Sequence, residues 1–398
     1  MDCSDSSGLR SGAAAAPAPP QGAFNLLLVS GNRRWTQAVR NAAADIGGGL
    51  SLCDAKGAVI RLACIAPRYS HLLLHLGSAD GLLNELVDLT VGDRDSSTEL
   101  LLLGTNRPPP RIGAIRTADR DSVRRALAPN VSPAHAPRMD PMHLTELRDA
   151  LAGAMIETRY QPIVRLADRR PVALEALARL NHPTRGTLPP GEFVPQIEDA
   201  GLAALLTDVV VDRALADVAG PLLQPLGLDI TLNFPLDVLL VPDALRRLDA
   251  SRRAAGVAAE RVVIELTESR EVRDPVMLGG VLQKLRSDGY RISIDDIAPT
   301  VPHVDDLLDL PFTTLKLDKA VVLHHEEPVV QDFVRQVMKV ARKRGLAVVA
   351  EGVEDVATWR AMRALGIDHA QGFLVARPLP AAAVPIWLEA WRSQPEFG

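Results

Sequence analysis

Cysteine is scarce: Cys3, Cys53 and Cys64 are the only three in 398 residues, and all fall in the first sixth of the chain with no metal-like spacing. That argues against a disulfide framework and a thiolate metal site, and for a reducing, cytoplasmic setting. A basic excess is missing too. Lys and Arg number 44 against 49 Asp and Glu, a formal net charge of -5 with both signs mixed along the chain. No basic face of the kind that binds a nucleic-acid polymer is present. Nor does any apolar run reach the about 18 residues expected of a membrane span, so no membrane insertion is expected. The Ala/Pro tract from Ala13 to Pro20 is interrupted by Pro17, Pro19 and Pro20 and has no strongly apolar core before it. It reads as part of a disordered leader over residues 1–22, too poor in buriable side chains to offset ordering entropy.

What is present is an ordinary globular composition, 47% hydrophobic and 23% charged, over a length that suits two or three domains. Residues 23–128 alternate short apolar runs with helical stretches: Phe24 to Val29, a turn at Ser30-Gly31-Asn32, a helix around Thr36 to Asp45, runs at His71 to Leu76, Leu100 to Leu103 and Ile112 to Ile115, and a helix at Arg120 to Leu127. Such alternation predicts a small, doubly wound parallel sheet. Its layout resembles a response-regulator receiver domain, a family that needs an acidic pair after the first strand, an acceptor aspartate after the third and a lysine after the fifth. Here Ser30 and Gly31 stand where the acids belong, His75 is near the acceptor position, Arg116 is the nearest base, and only Thr105 fits. The resemblance implies a degenerate receiver-like domain serving dimerisation or partner sensing, with His75 a structural histidine and a His75 phosphorelay the alternative. Residues 129–140 are rich in proline and read as a semi-extended linker.

From residue 141 to 398 the rhythm lengthens. Candidate strands lie at Arg159 to Val164, Val172 to Ala178, Leu228 to Phe234, Val262 to Thr267, Arg291 to Ile297, Thr313 to Leu317, Ala347 to Ala350 and His369 to Val375, most of them separated by amphipathic helical stretches. Eight strands with interposed helices over about 250 residues predict a parallel (β/α)8, TIM-like barrel. Glu175, Asn233, Glu265 with Glu268, Asp295 with Asp296, Lys316 with Asp318, Glu351 and Gln371 each sit in or at the end of a different apolar run. In a parallel barrel those ends converge on the face where active sites are built. Strand alternation puts Glu265, Asp295, Lys316 and Glu351 on inward positions. A cluster of carboxylates with one amide, lacking cysteine and a histidine pair, selects a hard cation, Mg²⁺ or Mn²⁺, over zinc. Taken singly, Lys316 also reads as a charge-neutralising salt bridge, Arg179 as a surface ion pair and Asn233 as a turn or cap residue.

Glu175-Ala176-Leu177 followed by Arg179 resembles the signature of EAL-domain cyclic di-GMP phosphodiesterases. Tyr160-Gln161-Pro162, Asn233, Glu265-Leu266-Thr267-Glu268, Asp295-Asp296, Lys316-Leu317-Asp318, Glu351-Gly352-Val353-Glu354 and Gln371-Gly372-Phe373 follow the family's order from about Leu144 to Trp391. The resemblance implies hydrolysis of one phosphodiester bond of cyclic di-GMP to give linear pGpG, using one or two Mg²⁺ or Mn²⁺ ions. It implies that Glu175, Asn233, Glu265 and Asp295 hold the first metal, with Asp295 and Asp296 at a second. Glu351 and Lys316 then position and polarise the attacking water, and Glu268 braces the loop after the fifth candidate strand. Gln161, Leu177, Arg179 and Glu354 would contact the dinucleotide, and Gln371 would complete the water and metal shell. A homodimer through the barrel or the N-terminal domain, and a protein partner at the N-terminal domain, are further implications.

One segment departs from the family. After Asp296 the family normally continues Phe-Gly-Thr-Gly-Tyr-Ser-Ser, whereas this chain reads Ile297-Ala298-Pro299-Thr300-Val301-Pro302-His303. Two glycines are lost and two prolines gained, so the loop cannot take the usual backbone path. Two functions therefore stand: a phosphodiesterase whose turnover is weakened or regulated, and a receptor or protein-interaction module that keeps the pocket without useful turnover.

Overall fold

The computed structural model describes residues 25–45, 49–63, 69–75, 99–105, 113–127, 142–153, 155–241, 243–267, 275–299 and 309–394, with 78, 82, 86, 89 and 90 besides. The expected leader and linker lie outside these residues.

Five strands, β1 (Asn25–Val29), β2 (Gly49–Cys53), β3 (His71–His75), β4 (Glu99–Leu103) and β5 (Gly113–Ile115), pair in parallel in the order β2-β1-β3-β4-β5. The central strands β1, β3 and β4 are short with apolar interiors because both faces are covered, whereas Leu52 on the edge strand β2 is 44% exposed. Leu26, Leu28, Leu73 and Leu101 pack with Trp35 and Val39 of helix Arg33–Asp45, while Leu27, Val29, Leu72 and Leu100 face Ala55 and Val59 of helix Ala55–Ala63. Sequence reading foresaw the alternation but not β2, a strand that begins beside a run of glycines.

Nine strands make the second sheet: β6 (Ile156–Arg165), β7 (Pro171–His182), β8 (Gly186–Leu188), β9 (Asp229–Pro235), β10 (Val262–Thr267), β11 (Arg291–Ile297), β12 (Thr314–Leu317), β13 (Ala347–Ala350) and β14 (His369–Ala370). Their order is β6-β14-β13-β12-β11-β10-β9-β7-β8, and the additional β6–β7 pairing closes eight of them into a barrel, with β8 hanging from β7 as a hairpin. The expectation of an all-parallel barrel is corrected at one strand: β6 runs antiparallel to both neighbours, β7 and β14. A parallel pair needs a crossover of a dozen or more residues, and only Leu166 to Arg170 join β6 to β7. Asp168 tightens that turn by accepting two hydrogen bonds of 2.8 Å from Arg165.

A second correction concerns β14, which ends at Ala370 rather than running to Val375. At Gly372 the backbone takes φ 153, and a Cβ there would lie 2.3 Å from the backbone of Val353. Only glycine permits that close approach, and it turns the chain out of the sheet.

The helices follow from ordinary signals. Helix Pro328–Arg344 starts with proline in its first turn, buries Val330, Val334, Val337, Met338 and Ala341 on one stripe, and ends at Gly345 with φ 68. Helix Ala55–Ala63 of the smaller domain lies on helix Val384–Ser393 of the barrel domain, where Lys56 pairs with Glu389 at 2.6 Å. No helix among the described residues is long and apolar enough to cross a membrane.

Candidate functional site

Register delivers the polar residues to one place. Glu265 of β10 stands opposite Asn233 of β9 and Ser293 of β11, and Glu175 of β7 stands opposite Gln161 of β6 and Thr231 of β9. Lys316 of β12 reaches the middle. Its Nζ lies 2.5 Å from Glu265 Oε1, 2.6 Å from Glu351 Oε1, 3.3 Å from Glu175 Oε2 and 3.4 Å from Asp295 Oδ1. Lys316 is only 1% exposed and Glu265 fully buried, so this is an interior cluster and not a solvated face.

One cation cannot neutralise four carboxylates. The surrounding negative charge holds the Lys316 ammonium well above the usual lysine range despite the opposing burial. Burial, reinforced by Glu175, pushes the Glu265 carboxyl well above the carboxylate range. Burial also pushes Glu351 up to about 8, with Asp295 and Glu175 adding to it and Lys316 opposing. Glu175 goes the other way: the Lys316 charge and hydrogen bonds from Asn233 and Gln371 outweigh its burial and lower it. Asn233 Nδ2 donates to Glu175 Oε1 at 3.0 Å and Gln371 Nε2 to Glu175 Oε2 at 2.5 Å.

Asp295 and Asp296 fall where the β11–β12 pairing loses register, between Ile294 and Ile297. Asp296 takes φ 52, an uncommon conformation for a residue with a side chain, and the irregularity turns its carboxylate to the same mouth as Asp295. Asp295, Asp296 and Glu351 each offer an oxygen within 4.8 Å of the others. Partial burial, then Asp295 and Asp318, push Asp296 up to about 6.

The donor set fits a hard divalent cation. It is all oxygen and amide, and it carries an excess of negative charge. Glu265 Oε2 is buried without a hydrogen-bond partner, and Asp295 Oδ1, although near Lys316, lacks hydrogen-bond geometry. Two buried acceptors left open are costly unless something else coordinates them.

Beside the cluster a cavity of about 370 Å³ opens at the mouth, lined by Glu175, Leu177, Asn233, Pro235, Thr267 and Asp295 among others. Leu177, expected to contact the dinucleotide, lines this cavity. Gln161 bridges the cluster to the adjacent loop, accepting from Gln371 Nε2 at 3.1 Å and donating to Ala376 O at 3.0 Å. Arg179 is buried and donates to Ala178 O at 2.8 Å. Glu354 stands apart from the acids, pairing with Lys319 at 2.7 Å. Glu268 and residues 300–308 of the altered loop lie outside the described residues.

Sequence reading did not foresee two features. Glu351, expected beside the water, is also placed to share a cation with Asp295 and Asp296; its position directly after β13, in phase with Val349, was the available signal. Phe373 is flanked by Arg377 at 4.2 Å and Lys319 at 5.9 Å from its ring centre, making a cationic, aromatic shelf near Glu354. The sequence offered only the Gln371-Gly372-Phe373 string for it.

Comparison with known proteins agrees on the barrel. The family model of the EAL domain matches residues 144–378. The cyclic di-GMP phosphodiesterase NbdA of Pseudomonas aeruginosa is 33% identical over 253 residues, 62% of this chain and 32% of that protein. The chain spans about a third of the length of the curated relatives it matches. Among solved structures, the PaMucR phosphodiesterase in complex with c-di-GMP superposes with a TM-score of 0.56 at 28% identity, over 61% of this chain and 98% of that one. A manganese and cyclic di-GMP complex of BlrP1 from Klebsiella pneumoniae gives 0.51 at 30% identity, over 58% and 57%.

Proposed function

The chain belongs to the EAL domain family, and from that premise we propose that it hydrolyses cyclic di-GMP to pGpG with Mg²⁺ or Mn²⁺. The observation that carries the proposal is the Lys316 ammonium within 3.4 Å of carboxylates from four separate stretches of the barrel, Glu175, Glu265, Asp295 and Glu351. Relatives sharing this barrel are named as cyclic di-GMP phosphodiesterases.

In this reading Glu175, Asn233, Glu265 and Asp295 hold one ion, and Asp295 with Asp296 and Glu351 the approach to a second. Bound there, the ions would acidify a coordinated water and offset charge on the phosphoryl oxygens. Glu351, ionised once the cations are in place, would take up the proton of the attacking water. Lys316 compensates the crowded acids and polarises that water. Asn233 and Gln371 fix the Glu175 carboxylate by donating to its two oxygens. Leu177 gives a base an apolar wall, the Phe373 shelf with Glu354 faces the dinucleotide, and Gln161 orients Gln371. Arg179 and Glu268 belong to the same proposal, as a phosphate contact and a loop brace.

Purified protein incubated with cyclic di-GMP and either ion should yield pGpG, and Glu175→Ala should abolish it. Binding without turnover would favour the second reading, a receptor, to which Ala298 and Pro299 point by replacing the backbone freedom of the family's glycine loop. Neither binding nor turnover would remove both. For the smaller domain we propose a receiver-like ancestry from the 2-1-3-4-5 strand order. A role in dimerisation or partner sensing, in a cytoplasmic protein, completes that proposal.

A further inference from the structure

The end of the barrel opposite the acids holds a cavity of about 670 Å³, within the roughly 300 to 1,000 Å³ typical of small-molecule pockets. It exists because the inward positions there are small: Ala173, Thr231, Ser293, Thr314 and Ala347 occupy a level that bulky branched residues usually fill. The only apolar cluster inside that part of the barrel, among the described residues, is Ile163, Ala173 and Val349 with Val172 against them.

The lining is cationic. Arg165, Arg169, Arg170, Arg291 and Arg392 face two aspartates, Asp168 and Asp229. Each aspartate is already engaged, Asp168 by Arg165 and Asp229 by Arg291. Arg169 is held rigidly for a surface arginine. It lies 4.3 Å over the Trp391 ring, donates to Gln394 O at 2.8 Å and Trp391 O at 3.1 Å, and sits on a backbone with φ 60. Trp391 Nε1 returns a bond to Arg169 O at 2.7 Å. A left-handed arginine is uncommon and is sustained only where the surroundings fix it.

Arg291 Nε and Ser293 Oγ are buried without a hydrogen-bond partner, and both residues line the cavity. The excess of arginine charge over the two engaged aspartates is what calls for an anion. The planar guanidinium fork matches phosphate oxygens two at a time.

We propose that this cavity binds a phosphorylated small molecule, seated on Arg169, Arg170, Arg291 and Arg392 with Ser293 above it. Its roof is formed by Glu265 and Lys316, so the ligand would lie directly beneath the acid cluster and on helix Val384–Ser393, which carries the smaller domain. The proposal does not rest on hydrolysis at the other end.

The test uses the full chain stripped of metal, with inorganic pyrophosphate as probe and titration calorimetry as readout. Pyrophosphate should bind at millimolar concentration or below and raise the melting temperature. The double substitution Arg170→Glu with Arg392→Glu, both at exposed rim positions, should weaken binding at least about tenfold, the loss of one or more charge-assisted contacts. Asp295→Asn, at the acid end, should leave binding unchanged. Parallel titration with GMP tells a nucleotide site from a bare phosphate site by which probe binds more tightly. No binding to the wild type, equal binding to the double variant at matched melting temperature, or loss of binding in Asp295→Asn would overturn the proposal.

Discussion

Two sheets in this chain, the smaller one parallel and the barrel parallel apart from β6, are built from largely buried strands, yet their carboxyl ends differ. In the barrel those ends carry Glu175, Glu265, Asp295, Lys316 and Glu351, drawn together by closure onto one ammonium. In the smaller sheet they carry Ser30 and Gly31 after β1, His75 at the end of β3, Gly104 and Thr105 after β4, and Arg116 after β5. There Gly31 N donates to Ser78 Oγ at 2.9 Å, Gly104, at φ 78, lies against the Trp35 ring, and His75 Nδ1 is buried without a hydrogen-bond partner. Strand ends are a place where chemistry can be mounted, and the mounting depends on side chains rather than on the sheet.

The comparison breaks most sharply at Glu265. Glu265→Gln should lower cyclic di-GMP hydrolysis by on the order of 10³-fold, as for other groups that stabilise developing charge, with the melting curve retained. An active variant would remove the acid cluster from the chemistry. Next is Lys316→Ala, which leaves several buried carboxylates without their cation and should cost about 3 kcal/mol in urea unfolding of the metal-free protein. Added Mn²⁺ should recover part of that loss; a metal-independent loss would make Lys316 a purely structural residue.

Proton release gives a third effect. A cation requires deprotonated ligands. Glu351 stands at about 8 and Asp296 at about 6 before it arrives, so protons must leave when it binds near neutral pH. Metal affinity should therefore rise as pH increases from about 6 to about 8, by at most about tenfold per unit for each proton displaced. Calorimetry in buffers of different ionisation enthalpy reads the released protons directly, and a pH-independent affinity would contradict the site. Gln371→Leu, which removes the donor to Glu175 Oε2, should cost roughly 10 to 100-fold in metal affinity. Smallest of all, His75→Ala should change turnover by less than about twofold, since side chains away from the working groups usually act weakly. A large loss there would show that the smaller sheet also does chemistry.

How far the sequence could be read follows the same division. The acids of β7, β10 and β11, Glu351 directly after β13 and the lysine of β12 were legible because inward alternation and apolar runs coincide. β2 was not, because it starts at Gly49 beside other glycines and offers no long β-branched run. The reversed direction of β6 was also hidden, since a strand's apolar pattern says nothing of its orientation; only the shortness of the Leu166 to Arg170 connection did. The left-handed Asp296 and the cavity beneath Lys316 depend on register and on small residues from several strands at one level, which no single segment reveals.

The most direct measurement of the central claim is anomalous scattering at the manganese edge from crystals of the full chain grown with Mn²⁺. The account places density among Glu175, Asn233, Glu265 and Asp295, with or without a second peak at Asp296 and Glu351, and none at the strand ends of the smaller sheet. Manganese at that sheet, or a barrel mouth without manganese at concentrations that support turnover, would contradict it.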